Sequence, residues 1–134
     1  MDKNNFHIIE IAANQNVKDV LNEYLVNNGI QRGYILNAIG SLLKCKLNNP
    51  RNKVFPIEVK LSVYSEPMEI ISFSGEVFPS CELEENLKKV YENTNDLFLH
   101  IHTGVALNDS KVVGGGLVDA QVFRNLKIFF LEVK

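Results

Sequence analysis

Phe98-Leu99-His100-Ile101-His102-Thr103-Gly104-Val105-Ala106-Leu107 alternates without a break. Successive side chains of a β-strand point to opposite faces, so Leu99, Ile101, Thr103, Val105 and Leu107 line one face. Phe98, His100, His102, Gly104 and Ala106 line the other. One side belongs to a core and the other to a surface of small residues carrying two imidazoles. Asn108-Asp109-Ser110 then turns the chain into Lys111 to Val113, and Gly114-Gly115-Gly116 separates that segment from a last strand over Gln121 to Val133.

Upstream the same period recurs. Ile57, Val59, Leu61 and Val63 alternate with Glu58, Lys60, Ser62 and Tyr64, a strand with one wet face. Met68 to Val77 reads as another strand, with Gly75 as a candidate bulge and Pro79 after its end. Phe6 to Ala12 is a first strand. Tyr34 to Ile39 is a buried one ended by Gly40-Ser41, with Leu43 to Leu47 continuing beyond a bend. Asn48-Asn49-Pro50-Arg51-Asn52 has loop chemistry.

The period changes once with clarity. Val17, Val20, Leu21, Tyr24 and Leu25 share one helical face, with Asn16 as N-cap and Gly29 just past the end. Ser80 to Asn93 reads as a short helix, with Leu83, Leu87, Val90 and Tyr91 on one face and acids in its first turn. The total is about seven or eight strands with one or two helices, an α+β domain around a largely antiparallel sheet.

Composition bounds the function. The 134 residues are 46% hydrophobic, enough for one domain over 1–134. Fourteen Lys and Arg against sixteen Asp and Glu give a net charge of -2, so no global positive field exists to hold a polyanion. Cys45 and Cys81 fit no CxxC spacing, and a disulfide framework is not indicated. The first residues hold no apolar run of signal-peptide length, and nothing approaches the roughly 18–20 apolar residues of a membrane span. A cytoplasmic protein with no membrane partner is therefore expected.

His100 and His102 form a chelating pair in outline, because neutral imidazoles on one face both offer a lone pair to a cation. Zinc takes three or four protein ligands, and no third histidine lies in this segment. His7, Cys81, Asp119 and Glu69 are the other donors considered, and spacing alone places none of them beside His102. The alternative reading is two histidines hydrogen-bonded in a pocket or at a subunit contact. Gly114, Gly115 and Gly116 lack the Lys and Ser/Thr of a phosphate loop and read as a bulge or a tight subunit contact. Glu69 reads as a solvated or hydrogen-bonded carboxylate. No Ser-His-Asp or Cys-His set is defined, so no catalytic residue is assigned and an enzyme is not the first expectation.

Four pieces in this order resemble the PPC domain, the plant and prokaryote conserved domain. They are Asn37-Ala38-Ile39-Gly40-Ser41, Glu66-Pro67-Met68-Glu69-Ile70-Ile71-Ser72-Phe73-Ser74-Gly75, Leu99-His100-Ile101-His102 and Val112-Val113-Gly114-Gly115-Gly116-Leu117. The resemblance implies an α+β fold with a mainly antiparallel, partly barrel-like sheet of about seven strands, assembled as a homotrimer. It also implies an assembly and binding module with a DNA-associated regulatory role by family naming, although no Arg-Gly-Arg AT-hook core is present here. Many prokaryotic members resemble HxH followed by Gly-Gly-His, a set similar to the zinc ligands of acetolactate decarboxylases. In this chain the first two positions are His100 and His102 and the third is Gly116, so zinc is the cofactor implied and its set is incomplete. Gly104, Gly114, Gly115, Gly116 and Glu69 are the expected pocket or interface residues.

Overall fold

A computed structural model describes residues 5–88, 90–91 and 95–134. The elements run β1 (Phe6–Ala12), α1 (Val17–Asn27), β2 (Gly33–Pro50), β3 (Val59–Tyr64), β4 (Met68–Pro79), α2 (Glu85–Lys88), β5 (Leu97–Ala106) and β6 (Val112–Glu132). A single turn of 3-10 helix over Ser80–Glu82 precedes α2. Six strands form one sheet in the order β1-β6-β5-β4-β2-β3, all ladders antiparallel, with an additional β6–β2 pairing.

The expected partly barrel-like sheet of about seven strands is corrected on both counts. A barrel has no edge, whereas among the described residues β1 bonds only to β6 and β3 only to β2, so this sheet ends at both strands and is not a barrel. The strand count falls because the two pieces around Gly40 are one strand, and the two pieces around Gly114–Gly116 are another. Glycine bends a strand as readily as it ends one. Gly40 sits at φ +149°, and a Cβ there would lie 2.1 Å from the Asn125 carbonyl oxygen, so β2 crosses β6 at a place only glycine fits. Gly75 is likewise no bulge. It pairs in register with Ile101, and the irregularity in that ladder falls between Ile70 and Ser72.

The helix α1 follows its pattern: Val17, Leu21 and Leu25 are fully buried, and Asn16 caps the first turn by accepting from the Asp19 amide at 2.9 Å. They pack into one cluster with Ile9, Ile11, Leu126, Ile128 and Phe130. Fully burying each such side chain contributes roughly 1.5–3 kcal/mol. The expected helix over Ser80–Asn93 is much shorter, four residues over Glu85–Lys88, and part of its C-terminal end lies outside the described residues. Among the described residues no helix is long and apolar enough to cross a membrane.

Candidate functional site

Strand β5 buries Leu99, Ile101, Thr103 and Val105 and turns His100 and His102 outward, as the alternation requires. The two imidazole rings stand 4.9 Å apart with their planes at 85°. Across the ladder His100 faces Glu76 and His102 faces Ser74. His100 Nδ1 lies 3.3 Å from Glu76 Oε1, so the carboxylate orients that ring from the neighbouring strand. Phe98 stacks on His100 at 5.6 Å and 27°, and Tyr91 meets both rings edge-on. Phe98 therefore is buried although it shares the outward face of the strand.

On its other side β5 pairs with β6 only from His102 to Ala106, opposite Gly116 to Val112. Beyond Gly116 strand β6 continues along β2. The two strands thus part beside the histidines and leave a cleft of about 1350 Å³. His100, His102, Gly104, Gly114, Gly115 and Gly116 all line it. Glu69 does not; it pairs with Ser41 and Ala106 elsewhere on the sheet.

The third family position, Gly116, lies directly across from His102. A Cβ at Gly116 would fall 2.5 Å from Asn48 Oδ1, the end of a side chain that would have to turn aside to admit a residue there. The other donors are elsewhere. His7 bonds Tyr24 Oη at 2.8 Å between β1 and α1, and Cys81 is exposed beyond β4. Asp119 lines the far end of the cleft, held by the Asn16 amide and by the Ala120 N–H at 2.9 Å. Among the described residues no three His, Cys, Asp or Glu side chains converge on one point. Among the described residues zinc's donor set is therefore not complete.

Two groups near Asp119 are perturbed by burial. The Cys45 thiol is pushed up to about 11, chiefly by desolvation and further by the Asp119 carboxylate. The Lys18 ammonium is pulled below its ordinary value by burial, which Asp119 only partly offsets. Neither Glu76 nor Asn48 carries a motif in the sequence; both are found only through strand register.

The Plants and Prokaryotes Conserved (PCC) domain matches residues 1–134. This chain belongs to the PCC-domain family. The PCC fold recurs in solved structures. A plant- and prokaryote-conserved (PPC) protein of Pyrococcus horikoshii is 22% identical with TM-score 0.77, covering 96% of this chain and 78% of that one. A protein of Bacteroides thetaiotaomicron whose description proposes DNA binding is 21% identical with TM-score 0.76, covering 100% and 82%. A metal-containing protein of Archaeoglobus fulgidus is 24% identical with TM-score 0.72, covering 95% and 78%. At these identities the likeness speaks for the fold. No curated protein matches the chain.

Proposed function

We propose that this PCC-domain chain is a self-assembling binding module: residues 1–134 act as one domain, three copies associate, and the histidine cleft sits beside the association face. One observation carries the reading. Phe6, Leu131, Tyr34, Glu76 and His100 are directly opposed on successive strands β1, β6, β2, β4 and β5, a single row across the outer face. Its β1–β2 end is apolar and in water: Ile8 is 53% exposed, Tyr34 and Leu36 each 51% and Ile39 65%. Monomeric proteins rarely leave contiguous apolar patches of more than a few hundred Å² uncovered, and closed symmetric association covers such a face. The number three comes from the family resemblance. Light scattering at micromolar concentration is expected to give a three-chain mass, and a stable monomer overturns the reading.

A second reading is favoured by the rings themselves. Two imidazoles 4.9 Å apart, one of them oriented by Glu76, offer two ligands to a divalent cation, and a neighbouring copy at the association face would supply the rest. Elemental analysis of protein purified without chelator or affinity-column metal tests it, with stoichiometric zinc expected. Direct DNA binding is the reading the residues favour least, since the net charge is -2. Duplex DNA retained at low salt and released steeply as salt rises would reverse that order.

A further inference from the structure

A closed ring of three copies has a three-fold axis and no two-fold, so away from that axis each copy meets the next through two unlike surfaces. The face at Tyr34, Leu36 and Ile39 therefore needs a different apolar patch on the same chain to receive it. Among the described residues, the exposed large apolar side chains outside that face and its β1 margin gather in one place. Val54, Phe55, Val59, Leu61 and Val63 fall within ten residues, and the remaining four are scattered singly along the chain.

Val54 and Phe55 are 69% and 54% exposed on the loop between β2 and β3. The loop is cross-braced. The Asn52 side chain donates to the Pro56 carbonyl at 3.1 Å and accepts from the Glu58 amide at 2.9 Å, and the Arg51 amide donates to the Glu58 carbonyl at 2.8 Å. Two apolar side chains thus project from a shaped segment that association does not have to order. The segment is also cationic: from Arg51 to Lys60 three basic residues stand against one carboxylate, Glu58. Among the described residues neither Arg51 nor Lys53 takes part in an ion pair. The association face offers the complement. Tyr34, Leu36, Glu76, His100 and His102 line a depression of about 510 Å³, in which Glu76 is the one carboxylate among the described residues and no Lys or Arg takes part. An aromatic anchor seated in a pocket, with opposite charges at the rim, is the arrangement that concentrates binding energy at an interface and fixes its register.

From this complementarity we infer that Val54 and Phe55 of one copy dock into the depression at Tyr34, Leu36 and Glu76 of the next, so that a neighbour's Phe55 becomes a wall of the histidine site. The inference rests on the assembly reading above and specifies which surfaces meet. Light scattering of the full chain tests it. Val54→Asp with Phe55→Asp is expected to give a folded monomer with an unchanged urea midpoint. Val54→Ser with Phe55→Ser, a milder change, is expected to raise the concentration needed for assembly about tenfold or more. Leu36→Asp with Ile39→Asp spoils the other surface and leaves the loop intact. A concentrated one-to-one mixture of the two aspartate variants retains one sound knob and one sound socket, and is expected to show a two-chain mass that neither variant shows alone. A loop variant that keeps the native three-chain mass, or a mixture that stays monomeric, overturns the docking assignment and leaves the assembly reading standing. A native chain that is itself monomeric overturns both.

Discussion

Gly75 shows how little room surrounds the histidine pair. A Cβ on it would lie 2.1 Å from the His100 carbonyl oxygen and 3.0 Å from the Ile101 Cα, both backbone atoms that cannot swing aside. Gly75→Ala therefore has to part β4 from β5 beside the site, and is expected to cost about 1–3 kcal/mol, read as a lower urea midpoint. An unchanged midpoint would mean the strands yield freely there. Cys45 offers a second test. With its thiol pushed up to about 11, only about one molecule in a thousand carries the thiolate at pH 8, and the side chain is fully buried. Brief alkylation of native protein at pH 8 is expected to label Cys81 and spare Cys45, and mass spectrometry of the peptides decides it. The strand period alone puts His100 and His102 on one face. Glu76 opposite His100 and Asn48 under Gly116 are not legible that way, because register between segments far apart in sequence is set by the packing of the whole sheet.

Among the elements, α1 was the most legible, since its apolar spacing, its Asn16 cap and the glycine past its end agree with one another. The cap also joins helix to sheet: Asn16 accepts from the Asp19 amide and donates to Asp119 on β6. Asn16→Ala is expected to destabilise the fold by about 1–2 kcal/mol in urea titration, and Asn16→Asp, which keeps the capping acceptor but sets a carboxylate against Asp119, to recover only part of that. Full recovery by Asn16→Asp would show that the link to Asp119 contributes nothing. The long strands were less legible. Gly40-Ser41 and Gly114–Gly116 carry the composition of strand ends, yet β2 and β6 pass through them, because β6 pairs with β2 on both sides of Gly40, and β5 on one side and β2 on the other hold β6 across its glycines. Local chemistry marks where a strand is able to stop, and its partners decide whether it does.

For the whole molecule, the row from Phe6 to His100 is what would link the proposed association to the histidine site, because its exposed apolar end and its imidazole end lie on the same face of the sheet. On that proposal a second copy covering Tyr34, Leu36 and Ile39 would sit next to His100 and His102, where among the described residues no three donors converge. Two classes of variant then separate. Leu36→Asp with Ile39→Asp sets two carboxylates into the covered face; desolvating them is unfavourable enough to dissociate the assembly, and bound cation is expected to be lost with it. His100→Ala with His102→Ala removes the donors but leaves the apolar face intact, so cation is lost while the assembled mass persists. Light scattering and elemental analysis on the same preparations give both readouts. A Leu36→Asp, Ile39→Asp chain that is monomeric and still carries stoichiometric cation would place the complete donor set within a single chain and break the link between assembly and binding.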